Sequence, residues 1–190
     1  MSRPVPSPAA AQTSNNHRFD MNLIVTPTAQ HRGMLSAFGQ SYNCALGRAG
    51  VSADKREGDG ATPVGRFAMR AIRYRADRLV CPQTVLPANA ICPEDGWCDD
   101  PSDPSYNRPV THPHRGSAER MWRDDLLYDL LVILGHNDTP PVPGRGSAIF
   151  LHCATPELGP TEGCVALPSN ILRALIPQLG HDTTIEIRAF

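Results

Sequence analysis

Proline and glycine interrupt this chain so often that most of it has no room for a long helix or a long strand: its 190 residues include 19 prolines and 15 glycines. Proline fixes φ and removes a backbone donor, and glycine loses more freedom on ordering than other residues, so both punctuate regular structure. The densest stretch, residues 81–115, holds Pro82, Pro87, Pro93, Pro101, Pro104, Pro109 and Pro113, and any element there must be short. Between the breaks lie brief apolar runs. Met21, Leu23, Ile24 and Val25 read as an opening strand, residues 34–46 as hairpin strands, and Phe67, Met69 and Ala71 alternate with polar neighbours as in a strand with one wet face. Residues 128–134 form a continuous apolar run expected to be a strand buried on both faces, and residues 183–187 make a last strand. Two short helices are expected. One is capped by Ser117 and runs to Trp122; the other is capped by Ser169 and runs from Asn170 to about Leu179, with Ile171, Leu172, Leu175 and Ile176 on its buried side. The pattern predicts a mostly β domain, for which a β-sandwich is a common form.

The chemistry concentrates in residues 148–167. Ala148, Ile149, Phe150 and Leu151 read as a buried strand that delivers His152 at its end; a Gly/Pro-rich loop follows, and a second apolar run opens with Cys164 after Gly163. A thiol is a strong nucleophile only as thiolate, and an imidazole beside it takes its proton, so this pair suits acyl transfer. Lacking a Cβ, Gly163 lets a substrate carbonyl approach the backbone, with the amides of Glu162, Gly163 and Cys164 as oxyanion donors. Buried structural cysteine and histidine are the competing account.

Two motifs carry a resemblance that favours catalysis. The segment Thr161-Glu162-Gly163-Cys164-Val165-Ala166, following His152, resembles the nucleophile motif of the L,D-transpeptidase catalytic domain (YkuD-like) family. Far upstream, Gly60-Ala61-Thr62-Pro63-Val64-Gly65-Arg66-Phe67 resembles that family's Thr-Pro-x-Gly-x-Phe segment, in the right order and at a fitting distance. Three departures mark a divergent branch. Glu162 stands where the family has a second histidine, Ala166 where it has Asn or Arg, and the loop between His152 and Thr161 is short. The resemblance implies a β-sandwich of the L,D-transpeptidase type, with Cys164 as nucleophile, His152 as base, and the backbone carbonyl of Cys153 orienting the imidazole. It also implies peptidoglycan stem peptides as substrate, cross-links formed through a thioester, and covalent inhibition by carbapenems. No metal or organic cofactor is needed for this chemistry. A hydrolase of the same fold and a non-catalytic cell-wall-binding module are the alternatives.

Arg120, Arg123, Tyr128 and Asn137 are secondary candidates for holding substrate carboxylates or amides, together with Thr161. The proline-rich insertion, with Asp99, Asp100, Tyr106, Asn107 and Arg108, is expected to form a wall of the substrate groove, because a long loop inside a small domain is usually functional or disordered. The charged segment 54–60 lacks the ending of a phosphate-binding loop and reads as solvated, and His136 as a polar residue closing a strand.

Charge and length exclude other classes. Eighteen basic side chains balance nineteen acidic ones, which gives no broad attraction for nucleic acid or anionic lipid. No apolar run approaches the roughly 20 residues of a membrane span. Residues 1–18 are expected to be a disordered arm preceding one catalytic unit over residues 19–190; residues 1–16 have no apolar signal core. Work on peptidoglycan implies a periplasmic location, with a leader removed or lying outside this sequence. Six cysteines leave five besides Cys164: Cys44, Cys81, Cys92, Cys98 and Cys153. Cys92 and Cys98 flank a turn-rich spacer suited to a disulfide, with Cys81 as rival partner and fully reduced thiols equally open. A zinc site from Cys81, Cys92, Cys98, His112 and His114 lacks a Cys-x-x-Cys knuckle, so no metal is expected.

Overall fold

A computed structural model of the protein describes residues 22–190, so the arm expected over residues 1–18 lies outside the described residues. Fourteen strands follow in chain order: β1 Leu23–Ala29, β2 Arg32–Ala37, β3 Gln40–Ala45, β4 Val51–Ser52, β5 Thr62–Pro63, β6 Gly65–Tyr74 and β7 Ala88–Ala90. They continue as β8 Asp95–Cys98, β9 Pro109–Thr111, β10 Ala118–Arg120, β11 Leu130–Leu134, β12 Phe150–Cys153, β13 Val165–Leu167 and β14 Thr184–Ile187. The single α-helix among the described residues is α1, Ser169–Leu175. No helix among them is long and apolar enough to cross a membrane.

Nine strands make the main sheet, in the order β11-β12-β13-β3-β2-β1-β14-β6-β7, and β6 also pairs with β11, which closes the sheet on itself. The length of β6 makes this possible. Its first half is antiparallel to β14, from Arg66 opposite Glu186 to Ala68 opposite Thr184, and its second half is antiparallel to β11, with Ile72 opposite Val132. The result is a β-rich, barrel-like sheet; of the expected sandwich, the β content is what the pairings carry. The interior is filled by alternate residues, as the two-residue period of a strand requires. Leu23, Val25, Leu35, Ile72, Leu130, Val132, Leu151, Val165 and Leu167 are inside, with Leu172, Leu175 and Ile176 from the helical segment packed against them.

A second, three-stranded sheet, β10-β8-β9, is built from the insertion between β6 and β11. It covers the outer face of β11, β12 and β13 with a smaller apolar cluster that includes Trp97, Met121, Tyr128, Leu131, Phe150 and Cys164. The helix expected from Ser117 to Trp122 is instead strand β10: Ala118, Glu119 and Arg120 pair with Cys98, Trp97 and Gly96 of β8. Five residues are too few to recover the cost of nucleating a helix, whereas an adjacent strand edge satisfies their backbone at once.

The run expected over 128–134 is regular only from Leu130. Helix α1 begins at Ser169 and is preceded by Pro168, with no side-chain cap, which corrects the cap assigned to Ser169. It gives way to a 3₁₀ turn over Ile176–Gln178 because Pro177 has no amide to continue the α pattern. All six cysteines are free thiols, so the Cys92–Cys98 bridge is not formed.

Candidate active site

Strand register sets the position of the two candidate side chains, Cys164 and His152. Strands β12 and β13 run parallel, with Leu151 opposite Val165 and His152 opposite Ala166. Cys164, immediately before β13, therefore stands beside Phe150, and Phe150, His152, Cys164 and Ala166 share one face of the sheet. Leu151, Cys153, Val165 and Leu167 point the other way, into the core. The outward face meets the insertion, and between them lies a cavity of about 480 Å³ whose lining includes Cys164, His152, Tyr128 and Arg123.

His152 is buried, and its Nδ1 lies 2.8 Å from the carbonyl oxygen of Cys153. A carbonyl only accepts, so Nδ1 carries the proton and Nε2 keeps its lone pair. Burial first, and the Arg123 guanidinium after it, lower the imidazole pKa to about 4, although the carbonyls of Cys153 and Leu127 favour the charged ring. Tyr128 packs edge-on against it, with ring centroids 5.3 Å apart. The side chain of Cys153 faces the interior and directs its sulfur at Leu130 O.

Cys164 Sγ donates to Ala148 O at 3.1 Å and accepts from the Phe150 amide at 3.3 Å. Burial and the negative charge of Glu119 push its pKa up to about 12, against the opposing pull of the Phe150 amide and Lys55. The resting pair is thus a neutral thiol and a neutral imidazole. Among the described residues no hydrogen bond joins them; the expected sulfur–imidazole contact is replaced by the one to Ala148.

The loop before Cys164 is held from two sides. Thr161 Oγ1 donates to Cys164 O at 2.7 Å and accepts from Gly163 N at 3.2 Å. Thr62 Oγ1 also donates to Cys164 O, at 3.3 Å, and accepts from Gly47 N at 2.8 Å. The two sequence motifs thus meet at one carbonyl. Gly163 has φ of +135°, and a Cβ on it would lie 2.8 Å from Ala61 O. Its lack of a side chain therefore serves its own backbone and the neighbouring loop, and its amide already donates to Thr161 Oγ1.

A match to the model of the L,D-transpeptidase catalytic domain extends over residues 23–187, nearly the whole chain. The chain belongs to the L,D-transpeptidase catalytic domain family. This is a family of cysteine enzymes that modify peptidoglycan, acts on its peptides and is inhibited by carbapenems in general. No curated protein and no solved structure gives a significant match.

As a member of the L,D-transpeptidase family, the chain departs from the common motif where its cavity meets solvent. Glu162 lines the cavity and forms an exposed ion pair with Arg48 at 2.8 Å. Tyr128 is buried and donates to Glu119 Oε1 at 2.5 Å, while Arg123 pairs with Asp125 and lies over the Tyr128 ring at 5.1 Å. Asn137 is not in the lining. Its side chain bonds Val142 and Gly146 and holds a loop, because a residue at φ +48° there needs local partners. Arg120 is likewise outside the lining, exposed on β10. His136 bonds Arg145 O and packs edge-on against Phe67.

Several contributors were not legible as such. Segment 54–60 is not simply solvated: Lys55 is buried and ion-pairs with Asp59, and Glu57 accepts from Tyr106 at 2.5 Å and Ser147 at 2.7 Å. Asn107, expected on a groove wall, is buried behind it. Its Oδ1 accepts from Trp97 Nε1 at 2.8 Å and from the Ala148 amide at 3.1 Å, and its Nδ2 donates to the carbonyls of His136 and Asn137. Glu119, expected in a helix, lines the cavity from β10. No local signal marks Glu57, Asn107 and Glu119, since strand pairing and contacts up to 90 residues away in sequence place them.

Proposed function

We propose that the protein is a peptidoglycan L,D-transpeptidase in which Cys164 is the nucleophile and His152 the base. The observation that carries this reading is that both side chains lie on the same outward face of β12 and β13, in one cavity, with His152 Nδ1 turned to the Cys153 carbonyl so that Nε2 is left to take a proton. When a donor stem peptide enters, the thiol turns from Ala148 O and passes its proton to Nε2. The sulfur then adds to the peptide carbonyl carbon, with the amides of Glu162 and Cys164 as donors to the oxyanion. Collapse breaks the C–N bond, the imidazolium protonates the departing amine, and the acyl chain remains as a thioester. An acceptor amine attacks that thioester, gives its proton to His152, and the cross-linked product leaves as the proton returns to sulfur.

Four carboxylates, Glu57, Asp99, Glu119 and Glu162, line the cavity with the guanidinium of Arg123. Such a lining gathers a cationic amine, which supports transfer over hydrolysis. Residues 19–190 act as one catalytic unit, and the enzyme works in the periplasm, where its substrate lies. Tyr128, Arg123 and Thr161 shape the substrate side of the cleft.

The test is incubation with a carbapenem and intact-mass measurement. One adduct per chain is expected, mapped to Cys164 and missing from Cys164→Ala. An unlabelled native protein rules the nucleophile out. Digests of peptidoglycan incubated with and without an added acceptor amine then separate cross-link formation from cleavage; cleavage alone overturns the transferase assignment.

A further inference from the structure

We propose that Cys98, Asp103 and His114 bind one zinc ion that staples the β10-β8-β9 sheet over the active-site cavity. The ligand atoms of these three side chains lie within 4.8 Å of one another. They come from three separate places: Cys98 ends β8, Asp103 lies in the turn that follows, and His114 lies just beyond β9. Around a tetrahedral zinc the donor atoms stand about 3.3–3.8 Å apart, and Asp103 Oδ2 is already 3.2 Å from His114 Nε2. That nitrogen is fully shielded from solvent yet has no hydrogen-bond partner. A ring nitrogen and a carboxylate oxygen at that separation, with no hydrogen bond between them, are spaced as two ligands of a common cation are.

The surroundings are built to hold these donors. Asp103 Oδ1 takes the Ser105 amide at 2.7 Å, which leaves Oδ2 for the site, and Asp100 Oδ1 takes the Ser102 amide and hydroxyl. Gly116 lets both carboxylates close in: a Cβ there would meet Asp100 Oδ2 at 2.9 Å and Asp103 Oδ2 at 3.1 Å. A thiolate, an imidazole and a carboxylate together suit zinc, while magnesium and calcium prefer oxygen donors throughout. Three protein ligands leave the fourth position to water.

The ion has a structural use. The three strands of this sheet hold four, three and three residues, too few to be rigid alone, and small lobes of this kind gain most from a metal. Asp99 is next to Cys98, and Glu119 is on β10; both face the reaction cavity. An ion at Cys98 fixes that wall without taking part in acyl transfer.

The test is titration of the chelator-stripped full chain, in reducing buffer, with Zn²⁺ against a competing chromophoric chelator, and separately with Co²⁺ followed by absorption. One zinc per chain is expected. Cys98→Ser and His114→Ala should each weaken binding on the order of 100-fold or more, while a Cys81→Ser/Cys92→Ser/Cys164→Ala chain binds like the parent. Cobalt should give a thiolate-to-metal charge-transfer band in the parent and in the triple variant, and zinc should slow proteolysis between residues 99 and 117. Absence of stoichiometric zinc, a cobalt spectrum without the sulfur band, or loss of binding in the triple variant overturns the proposal. If Cys98→Ser fails to fold by circular dichroism, the sulfur band of the triple variant decides alone, since Cys98 is then the one thiol near the other two ligands.

Discussion

At the scale of single residues, Cys164 and His152 rest uncharged because burial penalises both charged forms more than their neighbours reward them. For His152 the sign of the pH effect follows directly. An unfolded chain binds a proton at this ring below pH about 6.5, whereas the folded protein resists it down to about 4. The stability due to this difference is intact above pH 6.5 and is lost progressively as pH falls to 4, an upper bound of about 3 kcal/mol. Thermal melts of the native protein and His152→Phe across that range should show a steeper acid loss in the native protein. Activity should hold from neutral pH down to about 5 and fall as the base protonates near 4; a midpoint near 6.5 in kcat/KM would show that the ring is not desolvated in the free enzyme. Gly163→Ala places a side chain at φ +135° against Ala61 O and should cost about 2 kcal/mol or more, read by denaturant midpoint, with loss of carbapenem labelling.

At the scale of elements, the insertion and the 137–148 loop are joined through Asn107. Removing its amide leaves the Trp97 indole N–H and the Ala148 amide buried without partners, each worth about 1–3 kcal/mol. Asn107→Ala should therefore destabilise the protein by about 3 kcal/mol and alter Trp97 fluorescence. It should also change the rate of thiol alkylation at Cys164, whose proton is held by the Ala148 carbonyl. Retained native alkylation kinetics would uncouple the insertion from the nucleophile. The element misread from sequence, β10, belongs to the same region. Ser117 has the form of a helix cap, but the neighbouring edge of β8 decides the outcome, and that edge is some twenty residues away.

At the scale of the whole molecule, the pairing of β4 with β5 and the bridge between Gly47 and Thr161 bring the Thr62 motif to the cysteine motif, 102 residues later, so that both threonines converge on Cys164 O. Ile72 and Val132 face each other where β6 closes the sheet on β11 and are fully buried. Ile72→Ala should cost about 2–5 kcal/mol and lower the melting temperature; a variant that melts like the native protein would show that the seam does not limit stability. The short apolar runs, the Pro/Gly breaks and the two motifs by themselves determined a β-rich domain, its family, and Cys164 and His152 as the side chains to examine, because those signals are local. Tertiary structure alone decided that the sheet closes, that Asn137 serves a loop while Glu119 and Glu57 face the cavity, and that Gly163 answers to Ala61. It also brought Cys98, Asp103 and His114 together. Those outcomes depend on contacts between residues far apart in the chain, and register and burial, which a sequence does not display, set the distances between them.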